Sequence, residues 1–430
     1  MVECHIFWGK HLIYIKPKKF MLEEKNGKVM QSSKIFPTPF FLAAAFIMII
    51  FGASWGTMFL WQLRGVENFT SLNLFAINAH GQAQIYGWVG LMIMGIFSSF
   101  LPKYFGKDPI DSYWQYLMIG FMLLGVTMNL VSSIGLPSLF YANLGNGAIV
   151  ISVLIFLANV TPLLFATKSP AHLFLYTAFF SFVLSALYSF WHHGKTFLAV
   201  GEKALLAQVA TYQAPLRDLQ VHGTALFAVF AFLLCIHRNA KSRRLNLSWV
   251  LLTCALVGEI SLFLAYRVSQ NHVIAAFLPL AWILLFVGTL LFVLELKPVG
   301  MFFRTALAWL ILSELMLMIL PLYGYFSHIP FSHAYYGAIR HAATVGFASL
   351  SLIGITVHLY YPMGVSQFSG WFFLLNIGCF FRVVLQILTD WHPIGFSYIA
   401  MSGMIEMVGV GLWCVEVFKG FALKARRVVS

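Results

Sequence analysis

The sequence predicts an all-α fold, a polytopic membrane bundle of about twelve transmembrane helices with both termini cytoplasmic, and three observations carry that expectation. The 430 residues are 60% hydrophobic and only 10% charged, too few polar side chains to wrap a soluble globule. The apolar runs extend over roughly 20 residues or more, where a barrel would show ~10-residue alternating segments. Hydrocarbon offers the backbone no water, so only helices or a closed barrel satisfy it, and run length selects helices. Finally, Lys and Arg collect on alternate sides of the successive runs.

Residues 1–37 read as a basic cytoplasmic tail, with Phe7, Trp8, Ile13, Tyr14 and Ile15 set among Lys10, Lys16, Lys18 and Lys19. Its apolar pieces are too short for a secretory signal, so it is expected to lie near the membrane surface. From Phe40 onward the apolar runs predict spans at 38–62, 78–101, 113–134, 138–160, 171–192, 218–237, 246–266, 273–296, 302–324, 337–361, 367–389 and 394–419. Loops between them are short. Residues 38–419 therefore form one transmembrane domain, and 420–430, with Lys424, Arg426 and Arg427, a second basic cytoplasmic tail.

With the N-terminus inside, 20 of the 27 Lys and Arg fall on the cytoplasmic side and five outside: Arg64, Lys195, Lys203, Arg217 and Arg267. The other two, Arg340 and Arg382, lie in spans. This bias sets the orientation and accounts for the net charge of +13 without any nucleic-acid partner. The expected setting is a bacterial inner membrane. Five scattered cysteines (Cys4, Cys235, Cys254, Cys379, Cys414) form no Cys-x-x-Cys pair, so neither a thiolate metal site nor covalent haem attachment is encoded. No phosphate-cradling glycine loop or Ser-His-Asp arrangement appears.

The same orientation gathers histidines. His80, His222 and His341 open spans 2, 6 and 10, and His192-His193 close span 5. Together with His272, His328, His333 and His392 they place nine of the fourteen histidines at the outer side. Polar side chains in a bilayer are costly and mark functional sites by default. Imidazole is a common axial ligand of haem and a common ligand of copper. His80, His222 and His341 are accordingly candidate haem or metal ligands, the alternative being histidines hydrogen-bonded at helix ends. Gly81, Ala83, Gly87 and Gly90, and Ala342, Ala343, Gly346, Ala348 and Ser349, would allow close helix packing and leave room for a flat macrocycle. His192 and His193 point about 100° apart on a helix, so joint metal binding needs a frayed helix end; an interfacial aromatic belt with Trp191 explains them equally. Arg340 suits a haem propionate or a snorkelling helix end. Glu259, Glu314, Glu406 and Arg382, deep in spans 7, 9, 12 and 11, read as proton-relay groups or as a buried Glu–Arg382 ion pair.

His80-Gly-Gln-Ala-Gln-Ile-Tyr-Gly-Trp followed by Gly-Leu, and His341-Ala-Ala-Thr-Val-Gly-Phe with Gly354, resemble spans 2 and 10 of the twelve-span haem–copper superfamily, and NnrS-type proteins more closely than oxidase subunit I. The resemblance implies a haem b protein, with copper as a second cofactor, connected with nitric oxide or a related diatomic ligand. It implies further that His80 and His341 grip the haem, and that His222 lies where oxidases ligate copper. Two departures stand out: Ala343 occupies the place of a second oxidase histidine, and the adjacent pair His192-His193 ends span 5 instead of lying in span 7. The standard oxygen-reducing centre therefore cannot be assembled. What remains expected is a membrane protein that binds nitric oxide or moves electrons from a donor, catalytic as an oxidoreductase if it turns over. Two other readings stay open, a secondary transporter and a haem or copper accessory protein of the respiratory chain.

Overall fold

The structure is a computed structural model that describes residues 38–134, 138–164, 170–236, 243–296, 300–329, 332–360 and 370–429. The N-terminal tail lies outside the described residues. Twelve helices long and apolar enough to cross a membrane are present, and no strand occurs among the described residues. They are α1 (Pro39–Val66), α2 (Leu74–Phe105), α3 (Ser112–Ile134), α4 (Leu139–Leu164), α5 (Pro170–Leu198), α6 (Glu202–Ile236), α7 (Arg243–Ser269), α8 (His272–Leu296), α9 (Met301–Ser327), α10 (His333–Leu359), α11 (Gly370–Leu388) and α12 (Ile394–Lys419). Past Lys419, α12 continues as helix to Val429.

Local sequence explains where these helices start and stop. Asn73 caps α2 by accepting from the backbone N–H groups of Phe75 and Ala76 at 2.9 and 3.1 Å, and Ser332 caps α10 by accepting from Tyr335 N–H at 2.8 Å. Gly106, in the left-handed conformation at φ 65°, closes α2. One boundary departs widely from the expected one. Helix α6 begins at Glu202, sixteen residues before the expected start at 218, because its first half (Glu202–Asp218) is polar and carries no hydropathy signal. Arg217, expected in an outer loop, is consequently inside a helix.

Burial sorts the bundle into centre and rim. Of the most apolar stretch of each helix, 89% is buried in α2, 94% in α6 and 78% in α10, against 28–50% in the other nine. The three helices that carry His80, His222 and His341 are thus the central ones, and the rest present apolar side chains outward, as a lipid-facing layer must.

The central helices and α1 are not regular, although the sequence reads as unbroken spans. Wider i→i+5 turns replace α-turns at Met48–Ala53 in α1, Ala83–Gly90 in α2, Leu219–Leu226 in α6 and Ala342–Ser349 in α10. In three of them a hydroxyl takes up the carbonyl five residues back: Ser54 on Ile49 at 2.7 Å, Thr224 on Leu219 at 3.2 Å and Ser349 on Thr344 at 3.0 Å. Such a turn adds a residue without breaking the helix, and π-turns cluster at functional sites. Here they begin within three residues before or after His80, His222 and His341.

Of the cysteines, Cys235, Cys379 and Cys414 are buried and Cys254 is exposed; none of the four is in a disulfide.

Candidate functional site

His80 and His341, 261 residues apart in sequence, line one small cavity of about 80 Å³ between α1, α2, α10, α11 and α12. That volume is well below the ~300–1,000 Å³ of small-molecule and cofactor sites, so a macrocycle would enter only with the wall helices moved apart. The wall from α1 and α12 is built of small residues, Gly52, Ala53, Gly56, Thr57 and Gly403. At Gly56 a β-carbon would stand 3.0 Å from His80 Cε1, so any larger residue would press on the imidazole. Glycines singled out from the sequence do a different job. Gly87 packs on Ile47, Gly90 on Phe182 and Gly346 on Trp309, so they set helix approach and leave no room for a ligand.

The two imidazoles are held differently. His80 Nδ1 lies 3.2 Å from the carbonyl of Phe51, inside the widened turn of α1. A backbone carbonyl accepts, so Nδ1 carries the proton and Nε2 keeps its lone pair. His341 Nε2 lies 2.7 Å from Glu406 Oε1 and is engaged by that carboxylate. Arg382 also lines the cavity, with Nη1 enclosed and without a hydrogen-bond partner among the described residues. No glutamate forms an ion pair with Arg382 among the described residues; Glu406 is taken by His341, Glu259 by His222 and Glu314 by Thr289. Arg340 is absent from the cavity wall, its guanidinium lying 4.4 Å over the ring of Tyr336.

The remaining sequence candidates belong to other networks. His222 Nδ1 is 2.9 Å from Glu259 Oε2. His193 is reached by the Gln82 amide at 2.9 Å, and the same nitrogen donates to Asn146 Oδ1 at 3.0 Å and Ser189 Oγ at 3.1 Å. His192 Nε2 is 2.9 Å from the Gln213 carboxamide, which, with its nitrogen toward the imidazole, accepts from Arg217 Nε and Nη2 at 3.0 Å. His222, His192 and His193 do not share a centre: no group of three or more His, Cys, Asp or Glu side chains able to hold a metal ion occurs among the described residues. Between the three central helices Ala343 packs instead with Ile85 and Val221 in a small buried apolar cluster.

Glu406, Gly56 and Gly403 were not singled out as wall or partner residues of a histidine site. A polar residue deep in an apolar span was the only available signal, and it marked Glu406 without naming its partner. Compared with known proteins, the chain matches no family model and no curated protein.

Proposed function

We propose that this multi-pass membrane protein binds a b-type haem in the His80–His341 cavity and uses it to handle a diatomic ligand such as nitric oxide. The observation that carries this reading is the shared cavity: two central helices each aim an imidazole into a space walled by Gly52, Gly56 and Gly403, with Arg382 at its edge, whose Nη1 has no hydrogen-bond partner among the described residues. His80 would hold the haem, because the Phe51 carbonyl fixes its tautomer and leaves the Nε2 lone pair available, as the outer hydrogen bonds of ligating histidines do. Arg382 fits a haem propionate, which guanidinium binds through paired hydrogen bonds. His341 fits only if Glu406 releases it. A bound haem would supply an iron that takes up a diatomic ligand or passes an electron.

Glu406 is therefore the residue on which the two outcomes turn. While it holds His341, one face of the cavity is open to a small ligand; once it lets go, both histidines are available and the site favours electron transfer. Among the described residues no three-ligand group surrounds His222, so the reading is confined to haem. The transporter alternative draws on broken helices at a midplane site. The widened turns here keep their helices continuous, which supports the haem reading over it.

The test is the reduced-minus-oxidised optical spectrum of purified protein, with metal analysis, before and after adding nitric oxide. Haem should be present in the wild type and lost in His80→Ala. Glu406→Gln should shift the spectrum toward a six-coordinate form and weaken nitric oxide binding, whereas His341→Ala should keep both haem and gas binding. Protein made with ample haem that contains none would overturn the proposal.

A further inference from the structure

Away from the His80–His341 cavity the bundle buries a second group of ionisable side chains that the haem reading does not use. His222, Glu259 and Glu314 are 6%, 2% and 0% exposed. Glu259 Oε2 is paired with His222 Nδ1 at 2.9 Å, and Glu314 Oε1 accepts from the Thr289 hydroxyl at 2.7 Å. The second oxygen of each carboxyl, Glu259 Oε1 and Glu314 Oε2, is enclosed and has no hydrogen-bond partner among the described residues.

Glu314 has His222 and Glu259 as its electrostatic neighbours. Asp218, four residues before His222 on α6, interacts with His222, Glu259 and Arg340, and Tyr336 on α10 interacts with Asp218, Glu259 and Arg340. The groups facing the cluster thus come from α6 (Asp218, His222), α7 (Glu259), α8 (Thr289), α9 (Glu314) and α10 (Tyr336, Arg340). They are ordered by depth. Glu314 lies thirteen residues, roughly 20 Å, from the Ser327 end of α9, and Glu259 ten residues, roughly 15 Å, from the Ser269 end of α7. Those ends are the ones at which the even-numbered helices begin. Asp218 is a further helical turn along α6 toward the same end and is less fully enclosed than His222, Glu259 and Glu314.

An isolated carboxylate in this setting is very costly, and one hydroxyl does not compensate it. A protonated carboxyl, by contrast, is uncharged and carries a donor on an oxygen that has no partner among the described residues, in the electrostatic neighbourhood of the His222–Glu259 pair. We propose that Glu314 is the inner station of a membrane-embedded proton-exchange site, linked through the His222–Glu259 pair and Asp218 to the histidine-rich end of the bundle. In the forward step the O–H bond of Glu314 breaks and a bond to the proton forms on the His222–Glu259 pair. Glu314 is left as a carboxylate and the pair gains one positive charge. The return step restores both. Asp218 then exchanges the proton with water.

This site stands independently of haem, and its test uses infrared difference spectroscopy of the full-length protein in lipid. At neutral pH the wild type should show the carbonyl stretch of a protonated carboxyl, shifted on transfer to deuterium oxide and lost in Glu314→Gln. Thr289→Val, which removes one hydrogen bond and keeps the acid, should move the band to higher frequency without abolishing it. Glu259→Gln should keep the band but slow its deuterium shift. A Glu314→Gln spectrum identical to wild type would overturn the proposal, as would a wild-type band that never responds to deuterium oxide. The Thr289→Val readout keeps the test decisive if Glu314→Gln does not fold.

Discussion

Single side chains decide whether the two central sites exist. Gln82 donates from one amide nitrogen toward Asn146, Ser189 and His193, all buried. Replacing it by Leu takes a donor away from Ser189 and His193, while Asn146 Oδ1 keeps the Ser189 hydroxyl, and a buried group so stranded costs about 1–3 kcal/mol. Gln82→Leu should therefore lower the thermal midpoint in detergent, while haem content, set by other residues, stays near wild type. Gly56 offers the complementary case. Gly56→Leu should lose haem as His80→Ala does, because its side chain enters the space beside the His80 ring. Gly65→Leu on the same helix should retain it, since nothing lies within 4 Å of that position; equal haem in the two variants would remove Gly56 from the site. His80, His222 and His341 stood out in the sequence because a polar residue in an apolar run is conspicuous. Their partners did not. A backbone carbonyl such as that of Phe51 has no sequence signature, and the sequence leaves open which of Glu259, Glu314 and Glu406 would pair with Arg382, whereas Glu406 lies on His341.

Helices carry the next level of the argument. Span positions were legible because run length and charge placement report them directly, and eleven of the twelve expected starts lie within about four residues of the observed ones. The exception, α6, fails for a physical reason: its Glu202–Asp218 half is stabilised by contacts with α5 and α7 at the bundle's end and not by immersion in hydrocarbon. The widened turns were illegible for another. Helices buried all round have no polar face from which a change of period could be read. These turns make a sharp prediction. Deleting Val89 from the Ala83–Gly90 stretch should replace the widened turns by α-turns and so shift the path of α2 beside His80 while keeping the helix continuous. Helix content by circular dichroism should be unchanged while haem content falls. A deletion variant with full haem would show that the extra residue in α2 has no part in aiming His80.

At the scale of the whole molecule, the question is which way the bundle sits in its bilayer. An even number of spans puts the two ends of the membrane domain on one side, and the distribution of Lys and Arg predicts that side to be cytoplasmic. Geometry supplies a marker for each face. Helix α6 has 35 residues, roughly 50 Å, against a hydrocarbon core of ~30 Å, so its Glu202 end projects beyond the membrane, and Lys203 there is exposed. Lys107, exposed just after α2, is separated from Lys203 by three spans and must face the opposite side. In a cysteine-free background, Lys203→Cys should react with an impermeant thiol reagent added to intact cells, and Lys107→Cys only after the membrane is opened. The reverse pattern would invert the topology and place the His80–His341 cavity nearer the cytoplasm. Labelling of both from one side would contradict the odd number of spans between them. The outcome also fixes from which compartment Asp218 and the proton-exchange site draw, since that site opens at the same end of the bundle as Lys203.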